Sequence, residues 1–145
     1  FQLDLLAAAM PLVDKKFSVV YKAHPSCLLN IQKYTMLNMS ASGSSLNELL
    51  GTCDLVFTSS MTSGAMDAYS AGLPVISALD DSRLNLSPLR GLEGVDFVIT
   101  PHGLAEKLMR FDRESRVDIN RADIFWCDSD LPRWRALLGF DCEDE

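Results

Sequence analysis

The sequence predicts an α/β protein, a Rossmann-like doubly wound parallel sheet of about five strands with helices on both faces. Three observations lead there. Short apolar, β-rich runs alternate along the chain with segments of helical periodicity, the pattern of a parallel sheet covered on both sides. The stretch 54–76, DLVFTSSMTSGAMDAYSAGLPVI, reads as strand, loop, helix, turn and strand, a complete βαβ unit. The loop of that unit, residues 58–64, is almost entirely small hydroxyl residues and glycine. Free backbone N–H groups and the helix dipole at such a strand-to-helix junction suit an anionic ligand.

The elements follow in order. Residues 3–13 (LDLLAAAMPLV) have amphipathic helical spacing, with Pro11 near the end and Asp14-Lys15-Lys16 as a polar exit. Residues 17–21 (FSVVY) form a strand that runs into Lys22-Ala23-His24-Pro25. Residues 28–33 read as a loop or single turn, 34–39 (YTMLNM) as a second strand and 40–44 as a loop. Ser44 or Ser45 caps a short helix over 46–50, with Glu48 near the capping-box position and Gly51 as its stop. The βαβ unit follows, with strands at 54–58 and 74–78 around a helix from Gly64 to Ala71. Residues 77–92 are irregular, and 95–99 (VDFVI) are another strand. Thr100 and Pro101 make an N-cap and first-turn pair for a helix over 102–111. The charged run 112–123 reads as surface, within a C-terminal extension over 112–145. Ser129 or Asp130 caps a last helix over 131–138, and packing of Trp126 and Trp134 onto the domain is favoured over a sugar-stacking platform.

Length and composition bound the function. The 145 residues fit one domain, and 48% hydrophobic with 23% charged residues is ordinary for a globular protein. A net charge of −7 argues against nucleic acid as the main partner. Part of that charge lies in the tail Asp141-Cys142-Glu143-Asp144-Glu145, which reads as solvated. The four cysteines, Cys27, Cys53, Cys127 and Cys142, show no CxxC pair and no metal-ligand spacing, so reduced thiols and a cytoplasmic location are expected. No apolar run has the length of a membrane span, and no signal peptide is recognised. The chain starts at Phe1, without Met and directly in helical periodicity. It is read as a piece of a longer protein whose first strand precedes Phe1. The strand edge left open would invite homodimer pairing.

In open α/β sheets ligands sit beyond the carboxyl ends of the strands. Two polar clusters fall there: Lys22, His24 and Pro25 after the first strand, and Thr58 to Gly64 after the third. Taken singly, each has a bland reading. His24 fits a structural hydrogen bond, Ser59, Ser60, Thr62 and Ser63 fit a turn with an N-cap, and Asp67 fits a solvated carboxylate. Two polar clusters on strand ends of one sheet favour a ligand site. Residues 80–91 are either a specificity loop, with Asn85, Ser87 and Arg90 reaching a sugar, or a solvated connector. Asp80-Asp81 is read as loop; no carboxylate pair suggests a metal, and no cofactor is expected.

KAHP at 22–25, DLVFTSSMTSG at 54–64 and DAYSAGLPVI at 67–76 together resemble the C-terminal, donor-binding half of GT-B-fold glycosyltransferases. The similarity runs to the bacterial sialyltransferases and Kdo transferases of surface-carbohydrate biosynthesis, over residues 17–99. It implies a nucleotide-sugar donor, such as a CMP-sugar, and a glycan acceptor held by an N-terminal domain absent here, so that the fragment alone is inactive. It further implies that His24 is catalytic or contacts the donor phosphate, with Lys22 and Pro25 beside it. Ser59, Ser60, Thr62, Ser63 and Gly64 would hold phosphate, and Asp67, where many such transferases have Glu, would hold ribose. Inverting stereochemistry is implied by the same resemblance. Two alternatives stay open. One is an enzyme similar to UDP-N-acetylglucosamine 2-epimerases, which have Asp-Ser-Gly-Gly where this chain has Thr62-Ser63-Gly64-Ala65. The other is a non-catalytic sugar-nucleotide-binding module.

Overall fold

The computed structural model describes residues 1–23, 30–60, 62–82, 84–114, 117 and 131–139. Five α-helices, two 3-10 helices (Met10–Leu12 and Ile31–Leu37) and five short strands lie among them: α1 Gln2–Ala9, β1 Val20–Tyr21, β2 Ser40–Ala41, α2 Leu46–Leu50, β3 Val56–Ser59, α3 Ser63–Ser70, β4 Val75–Ala78, β5 Val95–Val98, α4 Pro101–Arg110 and α5 Pro132–Leu138. Every strand pairing is parallel, as the alternating pattern requires. The strands form two sheets rather than one. β3, β4 and β5 make a three-stranded sheet in that order, and β1 pairs with β2 alone.

The three-stranded sheet is covered on both faces because β4 is apolar on both. Ile76 and Ala78 face a cluster built from Leu5, Leu6 and Ala9 of α1 and Leu104, Ala105 and Leu108 of α4. Val75 faces the opposite cluster, with Ala65, Ala68 and Tyr69 of α3 and Leu50 of α2. The period-two alternation of a strand sends its neighbouring side chains to opposite faces, so one four-residue run supports two cores. The connection from β4 to β5 has no helix among its described residues, yet it supplies fully buried Leu89 to the α3 side. Leu89, with buried Ser87 and with Leu92 packed on the same cluster, anchors the connection.

The boundaries of most elements shift by one or two residues from the sequence expectation, but the second strand is a correction. Residues 31–37 form a 3-10 helix, kinked at Tyr34, and the strand begins only at Ser40. Asn30 caps it, its Oδ1 accepting from the N–H of Gln32 at 3.1 Å. Tyr34 and Leu37, three residues apart, then bury against the α1 side of the core. Asn38 stops the helix in the left-handed region at φ 45°. A buried i, i+3 pair and a cap at each end outweigh the β preference of Tyr, Thr and Met.

The last helix exists, but its aromatic residue is not core. Trp134, Leu137 and Leu138 are 60, 74 and 61% exposed, against the expectation that this helix packs back through Trp134. Its N-cap is Leu131, with no side-chain cap, in place of Ser129 or Asp130. Those two residues and Trp126 lie outside the described residues. From the charged run after α4, Val117 reaches back: its N–H donates to Gly72 O at 3.3 Å, and its side chain packs on the α3 cluster.

Candidate functional site

The β3–α3 junction is shaped by its own hydroxyls. The sheet pairing runs one residue past β3, with the Ser60 N–H donating to Ala78 O at 3.2 Å. The chain then turns, and Thr62 N donates to Ser59 O at 3.4 Å. Thr62 is the N-cap of α3 in extended conformation, but its hydroxyl makes no cap hydrogen bond. Instead Thr62 Oγ1 donates to Ser59 O at 3.1 Å, so the 2.6 Å contact with Thr58 Oγ1 has Thr58 as donor. The cap hydroxyl is thus turned back onto the strand end. The backbone N–H groups of Ser63 and Gly64, in the first turn, carry no hydrogen bond among the described residues. Among the described residues a Cβ placed on Gly64 would have only Thr62 Oγ1 near it, at 4.0 Å, so their packing leaves the turn open. Donors left free at a helix N-terminus are what an anion needs.

Beside this junction, at the carboxyl ends of β3 and β4, lies a cleft of about 140 Å³ lined by Ser59, Ser60, Ala78, Leu79 and Asp80 among others. Complete small-molecule sites measure roughly 300–1,000 Å³, so this cleft is smaller than a whole site. Asp80 adds a carboxylate at its wall, fixed by two hydrogen bonds to Oδ1, from Ser82 N at 3.0 Å and Ser82 Oγ at 2.6 Å. Sequence reasoning treated Asp80 as loop. The usable signal was its place two residues past β4, at the same sheet edge as the serines.

The other expected site residues are less gathered. Lys22 is exposed after β1, where its Nζ donates to Ser44 O at 2.6 Å and ties the strand exit to the approach to α2. No hydrogen bond or ion pair joins it to residues 59–64 among the described residues. His24 and Pro25 lie outside the described residues. Ser63 is exposed beside Thr62 at the start of α3, and Asp67 is exposed one turn further on, outside the cleft. In the 80–91 loop the polar side chains serve the loop itself. Asn85 Oδ1 accepts from Ser87 N at 3.1 Å, buried Ser87 accepts from Leu89 N at 3.3 Å, and Arg90 Nη1 donates to Asn85 O at 3.2 Å.

No protein-family model matches the chain, and no curated protein or solved structure matches it. The class that fold and junction define is a parallel α/β domain with an open strand-to-helix junction at its carboxyl edge. No helix among the described residues is long and apolar enough to cross a membrane.

Proposed function

We propose that this chain is the donor-nucleotide-binding domain of a glycosyltransferase that uses a nucleotide-sugar in surface-polysaccharide biosynthesis. The observation that carries the reading is the N-terminus of α3, where the Ser63 and Gly64 N–H groups have no partner among the described residues and the Thr62 hydroxyl is withdrawn. A donor phosphate seated there gains aligned N–H donors and the favourable end of the helix dipole. The hydroxyls of Ser59 and Ser60 and the carboxylate of Asp80 then face the neighbouring subsite, which suits sugar or ribose hydroxyls and disfavours a second phosphate. Asp67, one turn along, would reach a ribose only at the outer edge of the site.

In this mechanism the protein lowers the barrier by stabilising charge that develops on the departing nucleotide phosphate. The α3 N–H groups supply fixed dipoles, His24 donates a proton or hydrogen bond to the leaving oxygen, and Lys22 adds positive charge. The acceptor comes from outside this chain.

Isothermal titration with CMP, UDP and GDP tests the reading directly. At least one nucleotide is expected to bind, and Ser60→Asp, placing a like charge beside the phosphate, is expected to abolish that binding with circular dichroism unchanged. His24→Ala should weaken binding and leave the fold intact. If none of the three nucleotides binds, the donor-site reading fails. Conversion of a UDP-sugar without any acceptor would instead support the epimerase class.

A further inference from the structure

A cavity of about 660 Å³ lies away from the carboxyl edge. It separates the two sheets, between residues 15–21 leading into β1 and residues 52–57 leading into β3, and shares no residue with the junction at 59–64. Among the described residues no backbone hydrogen bond crosses it: β1 pairs with β2 and β3 with β4. Its interior is apolar, with Leu6, Met10, Val19, Met39, Phe57 and Leu108 among the lining side chains. Packed interiors leave few voids larger than a water molecule, and this volume falls within the range of ligand sites.

The charges of the lining are predominantly positive. Lys15, Lys16 and Arg113 stand against a single carboxylate, Asp54, in a chain whose net charge is −7. All three cations are exposed, so they mark where the cavity meets solvent. Arg113 holds Asp54 at 2.8 Å, which neutralises the one negative group. Lys15 Nζ donates to a carbonyl, Phe111 O, at 2.7 Å, and keeps its charge uncompensated. Lys16 has no hydrogen bond or ion pair among the described residues. An apolar chamber with two uncompensated ammonium groups at its mouth matches a ligand with an apolar body and an anionic end.

We propose that this cavity binds a single-chain anionic amphiphile. Its alkyl chain lies between β1 and β3 against Leu6, Met10 and Phe57, and its carboxylate or phosphate head sits at Lys15 and Lys16. Binding here is independent of the nucleotide reading, because neither the residues nor the ligand class are shared.

Cys53 lines the cavity, half-buried and unpaired, and reports its occupancy. The experiment follows alkylation of Cys53 by iodoacetamide, resolved from the other cysteines by peptide mass spectrometry. Dodecanoate, dodecyl phosphate, dodecanol and dodecyltrimethylammonium are compared below their micelle concentrations. The two anions are expected to slow Cys53 alkylation saturably, dodecanol less and the cation not at all. Stronger protection by dodecanoate identifies a fatty-acid-type head, and stronger protection by dodecyl phosphate a lipid phosphate. Lys16→Glu should remove the preference for anions, and Met39→Trp, which fills the chamber, should remove protection altogether. Lys16→Glu is at an exposed position and keeps the test decisive if the larger side chain prevents folding. Equal protection by all four head groups, or protection unchanged in Lys16→Glu, overturns the proposal. So does absence of protection together with slow amide exchange at Leu55 and Phe57, which would mean that β1 and β3 pair and close the cavity.

Discussion

Tyr34 joins the 3-10 segment to α1 through its phenol, which donates to Asp4 Oδ1 at 2.8 Å. Asp4 also holds the terminal ammonium at 2.9 Å. That ammonium first, and the Tyr34 hydroxyl second, lower the Asp4 carboxyl from 3.8 to about 2. A depressed carboxyl stabilises the fold above its unfolded value and loses that contribution as pH falls through the folded one. The expected outcome is a decline of the urea midpoint between pH 3.8 and about 2 that Asp4→Asn lacks. The same hydrogen bond raises the Tyr34 hydroxyl above its usual range. Gly94 is the second sensitive residue. It has φ +74°, and a Cβ there would run into the Val117 side chain. Gly94→Ala should cost ~2 kcal/mol or more in denaturant unfolding, from left-handed strain and the clash combined. In β4, Ser77 is fully buried, and its hydroxyl has no partner among the described residues. Removing an unsatisfied hydroxyl relieves a desolvation penalty, so Ser77→Ala should be neutral or stabilising by up to ~1 kcal/mol. A melting temperature clearly below that of the parent chain would contradict this.

At the scale of elements, the caps were the most legible features. Ser45 Oγ accepts from Glu48 N at 3.3 Å, and Glu48 Oε2 accepts from Ser45 N at 2.9 Å, the reciprocal box its sequence announces. Thr100 accepts from Gly103 N at 3.1 Å with Pro101 in the first turn of α4. Thr100→Ala should lower the unfolding free energy by ~1 kcal/mol, measured by chemical denaturation. Caps can be read because donor and acceptor are neighbours in sequence. The segment 31–37 was illegible for the opposite reason. Its conformation is decided by where Tyr34 and Leu37 find a core, and the α1 surface that receives them lies some thirty residues earlier. Trp134 is a similar case, because burial of an aromatic side chain depends on a receiving surface that no local pattern specifies.

Across the whole molecule, β4 is the only strand with a partner on each side among the described residues. Its amides should exchange slowest, and those of the two-residue β1 and β2 fastest, by hydrogen–deuterium exchange. The candidate site divides the same way. The βαβ unit, its direction and the hydroxyl composition of its loop were legible, since a strand and the helix after it place their junction at the sheet edge by geometry alone. The turning of the Thr62 hydroxyl toward Thr58 and Ser59 was not, because a threonine at that place fits a helix cap equally well, nor was Asp80 beside the serines, which depends on how neighbouring strands align in space. The sequence by itself determined a parallel α/β chain with a hydroxyl-rich strand-to-helix turn, because local periodicity and capping chemistry act over a few residues. Only the tertiary structure decided that the strands divide into two sheets and that a charged-mouthed apolar cavity lies between them. Each of these depends on contacts between segments far apart in the chain, where packing, rather than propensity, sets the outcome.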